Sequence, residues 1–220
     1  MKNLIIDSRL RNIEYEYLNK LFNVIKLPLS DDVYEEISGH CDIFYCKINN
    51  QVICAPNSLI IEPSFKIGSS IVEKNYPNDI KYNICQIEDK IIGSKYTDKS
   101  IEPNLIVNQG YTKCSIAVLN SRACITTDKN ISKILNDNNI DSLYIDEPNI
   151  KLLRKDKTIS KMKGFIGGAS LVVEDKFILF GDIDKLESKN EILKHISKYN
   201  LQLVDFKNLD VYDYGGGLIY

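Results

Sequence analysis

The feature that most narrows what this chain can fold into is an internal repeat. Thr97-Asp98-Lys99-Ser100-Ile101 recurs as Thr127-Asp128-Lys129-Asn130-Ile131. Each copy follows two short apolar runs separated by a polar turn. In the first, residues 82–87 and 91–95 flank Glu88-Asp89-Lys90; in the second, residues 114–119 and 123–126 flank Asn120-Ser121-Arg122. Apolar runs of this length around a polar turn read as β-hairpins. The aspartate of each TDK reads as a helix N-cap, because its carboxylate can accept a free backbone N–H. A unit that recurs in this way predicts one supersecondary motif used several times.

Further copies follow the same plan. Residues 42–48 and 51–55 flank Asn49-Asn50, and residues 169–173 and 177–180 flank Glu174-Asp175-Lys176. The latter copy continues into a helical stripe of Ile192, Leu193 and Ile196 within 186–199, then a strand at 202–206. The 127–147 copy places Ile131, Ile134 and Leu135 on a short helix before a strand at 142–145. A fifth unit forms when the ends are joined: 214–220 supplies a first strand, 3–7 a second, a helix carries Leu10, Ile13, Leu18, Leu21 and Phe22, and 24–27 is the last strand. Closing a ring with both termini leaves no free sheet edge. The expectation is therefore an α/β fold, one domain over 1–220, of about five ββαβ units, either closed into a ring by both termini or laid out as an open α/β sheet with chance hairpins. Residues 56–81 and 147–168, punctuated by proline and glycine, read as long loops of the kind that often carry function.

Composition excludes several classes of partner. The formal charge is -2, so no strong field draws the chain to nucleic acid or anionic lipid. No apolar run reaches the length of a membrane span. The six cysteines (Cys41, Cys46, Cys54, Cys85, Cys114, Cys124) read as reduced thiols of a cytoplasmic protein, because Met1–Arg9 turns charged after three apolar residues and offers no signal core. Neither metal nor cofactor is predicted: there is no Cys-x-x-Cys, and His40 and His195 are far apart in sequence. The glycine clusters fit neither the dinucleotide nor the P-loop fingerprint. His195 reads as a solvated surface histidine, and Arg154-Lys155-Asp156-Lys157 as an exposed loop.

Gly39-His40-Cys41-Asp42, the repeated unit and the glycine-rich terminus together resemble the penteins, five-bladed α/β propellers also known as the guanidino-group-modifying-enzyme fold. GHCD (39–42), SKYTDK (94–99), QGYTKCS (109–115), CITTD (124–128), GFIGGAS (164–170) and YDYGGG (212–217) look more closely like an uncharacterised bacterial family assigned to that fold. The resemblance implies a chemistry. A cysteine thiolate attacks the guanidino carbon, a histidine acts as general acid and base, and carboxylates grip the planar cation. Gly39, His40 and Asp42 match the Gly-His-x-Asp of those enzymes, which makes His40 and Asp42 candidate catalytic residues. Their nucleophile stands a few residues after a terminal Gly-Gly; here Gly216-Gly217-Leu218-Ile219-Tyr220 puts a tyrosine there.

Cys114 is the substitute nucleophile the sequence offers. It stands at the equivalent start of another hairpin, beside Lys113, whose charge would lower a nearby thiol pKa. Strand alternation predicts that His40 and Asp42 share a face, while Lys113 and Cys114 point apart. Gly167, Gly168 and Gly216 read either as places where backbone approaches a ligand closely, alongside Lys113, or as residues that alone fit where strand starts crowd an axis. Two functions stay open. One is a catalytically atypical or non-catalytic relative that binds a small polar ligand in a central pocket, as the ribosome anti-association factor binds a partner on that kind of fold. The other is an active guanidino hydrolase or amidinotransferase-like enzyme, breaking C–N bonds with His40, Asp42 and a non-standard cysteine.

Overall fold

The repeat is visible first in its turns. In a computed structural model describing residues 1–220, Asn49 and Asn50 have φ of 49° and 65°, and Glu88 and Glu174 both have φ of 53°. Two-residue hairpin loops need this left-handed backbone to match the twist of the strands they join. The chain opens with β1 (Asn3–Asp7), α1 (Asn12–Leu18) and β2 (Asn23–Leu27). Next come α2 (Cys41–Phe44), β3 (Tyr45–Ile48), β4 (Gln51–Cys54) and β5 (Lys66–Ile67), and then β6 (Cys85–Ile87), β7 (Lys90–Gly93) and β8 (Leu105–Ile106). The fourth unit is α3 (Thr112–Ser115), β9 (Ile116–Asn120), β10 (Ala123–Thr126), α4 (Lys129–Asp137) and β11 (Asp141–Tyr144). A hairpin of β12 (Lys151–Leu153) and β13 (Ile159–Lys163) precedes β14 (Ser170–Val173), β15 (Lys176–Leu179), α5 (Lys189–Lys198) and β16 (Gln202–Val204); β17 (Tyr212–Asp213) and β18 (Leu218–Ile219) end the chain.

The result is a mixed α/β structure of six three-stranded sheets. In all six the central strand pairs antiparallel on one side and parallel on the other; in five, β18-β1-β2, β3-β4-β5, β6-β7-β8, β9-β10-β11 and β14-β15-β16, the antiparallel partner comes before the central strand with the termini counted as joined, whereas in β13-β12-β17 it comes after. The termini pair as the repeat predicts, with Leu4 opposite Ile219 and Ile5 opposite Leu218. Apolar clusters join successive sheets: Ile5, Leu218, Tyr45 and Ile53 pack together, as do Cys85, Ile92, Ile116 and Cys124. Ala117, Ile125, Ala169 and Phe177 form a third cluster, and Leu171, Ile178, Leu4 and Ile6 lead back to the first sheet. All six cysteines are free and buried. No helix is long and apolar enough to cross a membrane.

The two TDK copies diverge for a physical reason. Asp128 caps α4, accepting the N–H groups of Asn130 and Ile131 at 2.9 Å each. Asp98 caps no helix, contrary to the sequence expectation, because Pro103 falls where the equivalent helix would be in its interior. Its carboxylate instead accepts the N–H of Ser100 at 2.9 Å, the Ser100 hydroxyl, and the N–H of Ser69 at 3.1 Å. Burial opposes the charged form, but these donors outweigh it and hold Asp98 below the usual carboxylate range. A depressed folded pKa contributes stability above the unfolded pKa that is lost as pH falls toward the folded value. Asp98→Ala is expected to cost about 1–3 kcal/mol in urea denaturation at neutral pH, with a smaller difference from the parent in acid.

Two further expectations are corrected. Residues 147–168 are not simply a loop, since β12 and β13 pair there and β12 also takes β17 in parallel, Lys151 opposite Tyr212. The charged run from Arg154 to Lys157 is the tip of that hairpin. His195 is buried rather than solvated: its Nε2 lies 3.1 Å from the Cys124 carbonyl oxygen and its ring meets Tyr199 edge-on. The inward stripe of α5 runs through 192, 195 and 196, so the helical phase carries His195 in with Ile192 and Ile196.

Candidate functional site

The residues just before the first strands of the five like-wired sheets converge. His40 is the N-cap of the single turn α2, with β3 beginning only at Tyr45; Cys114 sits in the matching turn α3, before β9. The strand alternation expected for 40/42 and for 113/114 therefore does not apply, because both pairs lie ahead of their strands. Gly39 lets the turn close down on β1: a Cβ there would lie 2.6 Å from the Asp7 carboxylate. Gly215, at φ 70°, lets the chain after β17 pass directly beneath His40.

Cys114 Sγ donates to Asp42 Oδ2 at 2.8 Å. Asn83, just ahead of β6, donates through Nδ2 to Cys114 Sγ at 3.2 Å and to the Asp42 carbonyl at 3.1 Å; its Oδ1 accepts the Lys113 N–H at 2.7 Å. A ring nitrogen of His40, an Asp42 carboxylate oxygen and Cys114 Sγ lie within 4.8 Å of one another. Asp213 stands 3.8 Å from His40 Nδ1 and accepts the N–H groups of Phe165 and Gly215 at 2.8 Å each. His40, Asp42, Cys114 and Asp213 are all buried. Neither His40 nitrogen has a hydrogen-bond partner, nor has Asp42 Oδ1.

Burial sets the protonation of the cluster. It pushes Asp42 up to about 6, against the pull of Lys113 and the Cys114 hydrogen bond. It pushes Asp213 up to about 7, helped by repulsion from Asp42. Burial, then the charge of Arg9, holds His40 well below the usual imidazole range. Cys114 is held well above the usual thiol range by burial and by the two carboxylates. The site thus keeps a thiol and a neutral imidazole beside two carboxyl groups that make no ion pair with a lysine or arginine, although the charges of Lys113 and Arg9 favour their ionised forms.

Two cavities meet this cluster. One of about 180 Å³ reaches His40, Cys114 and Asp213 under a roof of Tyr34, Tyr111, Leu152, Met162 and Phe165. Tyr111 stacks on Phe165 with ring centres 6.4 Å apart, and its hydroxyl donates to Asp79 at 2.6 Å. The other, of about 290 Å³, is lined by the first strands of all five like-wired sheets, including Tyr45, Cys85, Val118, Leu171 and Leu218, together with Asp42 and Lys113. Asp42 and Cys114 therefore stand between the two spaces.

Lys113 faces the larger cavity while its neighbour Cys114 faces the smaller. Gly167, Gly168 and Gly216 act through backbone. Gly168 N–H donates to the Cys114 carbonyl at 3.0 Å and Gly216 N–H to the Gly168 carbonyl at 2.8 Å, while a side chain at Gly167 would collide with the carbonyls of Lys113, Cys114 and Ile116. They stitch the lead-in turns together, and Gly167 also borders the larger cavity. Tyr220 borders neither cavity; its ring packs edge-on against Phe65 and its hydroxyl donates to Glu62 at 3.3 Å. Sequence reasoning missed Asn83 and Asp213. Asn83 has a signal, a polar residue two positions ahead of a first strand, as Cys114 is in its own unit; Asp213, at the end of β17, stands in the YDYGGG stretch that runs on to β18.

A model for a family of unknown function, DUF6873, matches residues 5–218, and the chain belongs to that family. A search of curated proteins and one of solved structures each found no match.

Proposed function

We propose that this protein is a pentein-like propeller enzyme that breaks a C–N bond at an amidino or guanidino carbon, with Cys114 as nucleophile. One observation carries the reading: the Cys114 thiol already donates to Asp42, beside an imidazole with no other partner, at the base of a cavity. The fold part is supported by five sheets of one wiring, joined in sequence by apolar clusters, with their first strands around one cavity. The ligand class follows from charge. Two buried carboxyl groups that make no ion pair with a lysine or arginine favour a planar cation whose N–H donors match carboxylate oxygens.

The reaction balances with these groups. Cys114 Sγ bonds to the amidino carbon while its proton passes to Asp42 Oδ2, which already accepts it. The C–N bond breaks, its electron pair goes to the leaving nitrogen, and that nitrogen takes the proton from Asp42. His40, neutral and unpartnered, removes a proton from water as water attacks the thio-bonded carbon. The C–S bond then breaks, and the thiolate takes the proton back from His40. The remaining proton leaves on the released amine.

The test compares two alkylating agents of nearly the same shape, a haloacetamidine (cationic) and the haloacetamide (neutral). In each, a thiol displaces the halide. The amidine is expected to modify one residue, Cys114, roughly tenfold or more faster than the amide, the worth of one well-placed charge pair. Equal rates, or scattered modification of all six thiols, would remove the catalytic reading and leave the non-catalytic ligand-binding one.

A further inference from the structure

Three side chains of different donor chemistry converge in the cluster: an imidazole, a carboxylate and a thiol, all buried. Both His40 nitrogens and Asp42 Oδ1 lack partners, although an unsatisfied buried polar atom costs about 1–3 kcal/mol. A single proton between Sγ and Oδ2 answers for only two of the donor atoms present. One electron-pair acceptor placed among His40, Asp42 and Cys114 would engage one donor atom of each side chain.

We propose that His40, Asp42 and Cys114 bind a zinc ion. The donor set selects the class of metal: a thiolate and an imidazole suit zinc, whereas magnesium and calcium want oxygen shells. Zinc bonds of about 2.0–2.3 Å put tetrahedral ligand atoms roughly 3.3–3.8 Å apart. The three groups reach that spacing from their present 4.8 Å limit by movements on the order of 1 Å, with Sγ and Oδ2 opening from 2.8 Å. Three protein ligands leave the fourth position facing the smaller cavity, the arrangement of an open rather than a structural zinc site. Asp213, 3.8 Å from His40 Nδ1, is placed to orient the ring as a carboxylate beside a metal-bound histidine does. On binding, the sulfur lone pair goes to the metal and the thiol proton leaves to solvent. Cys114 comes from a different repeat unit from His40 and Asp42, which is why no three-ligand metal spacing is visible along the chain. Granting the nucleophile reading given above, zinc and substrate compete for one sulfur, so zinc silences the site.

The experiment uses the full chain, stripped with a chelator and desalted. Zinc sulfate is titrated against a chromophoric chelator, and bound metal is counted by mass spectrometry. One zinc per chain at micromolar free zinc is expected. Cobalt in its place should give an intense visible spectrum with a thiolate-to-cobalt charge-transfer band. Cys114→Ser should remove that band, His40→Ala should abolish tight binding, and Asp213→Asn should weaken it about tenfold. No retained zinc, a cobalt spectrum without the thiolate band in the unaltered protein, or unchanged affinity in folded His40→Ala and Asp42→Asn would overturn the site. Zinc should also protect Cys114 from the haloacetamidine. Zinc binding without any amidine adduct supports the metal site while sinking the enzyme reading; an adduct without zinc binding does the opposite.

Discussion

Cys114→Ser is expected to abolish haloacetamidine modification and to lower hydrolysis of any amidino or guanidino compound the protein turns over by on the order of 10³-fold to 10⁶-fold. The size follows from the role. A hydroxyl of ordinary acidity cannot replace a thiol that forms the covalent intermediate, so the loss is in kcat and not merely in binding. Serine does fit the local geometry. Its oxygen can donate to Asp42 and accept from Asn83, the two contacts that Sγ makes at 2.8 and 3.2 Å. The melting temperature should therefore move little, and binding of a non-hydrolysed amidine should survive. Asp42→Asn completes the comparison. It keeps the shape but removes both the proton acceptor and a negative charge, so rate and amidine affinity should fall together. A fully active Cys114→Ser protein would exclude this thiol, and an Asp42→Asn protein of unchanged affinity would exclude cation binding at the cluster.

How much of this could be read from the chain depends on the range of the interactions involved. Hairpins at 45–54, 85–93, 116–126 and 170–179 are local and rest on short apolar runs and turn residues, so they stand out in the sequence. Pairing of the termini was legible too, because the unit at the N-terminus lacked a first strand unless residues from the end supplied it. The third element of each unit was less legible. Asp98 and Asp128 carry the same three-letter signal, yet Pro103 decides against a helix in one copy. The sixth sheet escaped notice because β12 pairs with β17 across some sixty residues of sequence, Leu152 opposite Asp213, with too few residues for a periodic pattern. At the site, His40 and Asp42 drew attention through their motif, and Cys114 through its place in the repeat. Asn83 and Asp213 have no motif chemistry of their own, and only the convergence of the lead-in turns shows what they touch.

The largest stability effect is expected at a residue that lines neither of the two cavities at the cluster. Arg9 is buried, and its guanidinium is fully engaged: Nε donates to Asp7 Oδ1 and Oδ2 at 3.0 and 3.1 Å, and Nη2 to Asp7 Oδ2 at 2.5 Å. Nη2 also donates to the Glu36 carbonyl at 2.9 Å, and Nη1 to the carbonyls of Glu35 at 3.1 Å and Leu153 at 2.5 Å. One side chain thereby ties the end of β1 to the turn leading into His40 and to β12 of the sixth sheet. Arg9→Met strands Asp7 as a buried carboxylate with no charged partner, holding only the backbone N–H of residue 9 at 2.7 Å, which costs about 3–5 kcal/mol. For a chain of this size that lowers the melting temperature by roughly 10 °C or more. Arg9→Lys should recover only part of the loss, because a three-donor point charge cannot cover a carboxylate and three carbonyls arranged for a planar fork. The double variant Asp7→Leu, Arg9→Met should be more stable than Arg9→Met alone, since replacing both members removes the stranded charge. Calorimetry of the four proteins decides it: an Arg9→Met protein melting within a degree of the parent, or a double variant no better than the single, would show that the pair does not hold these three segments together.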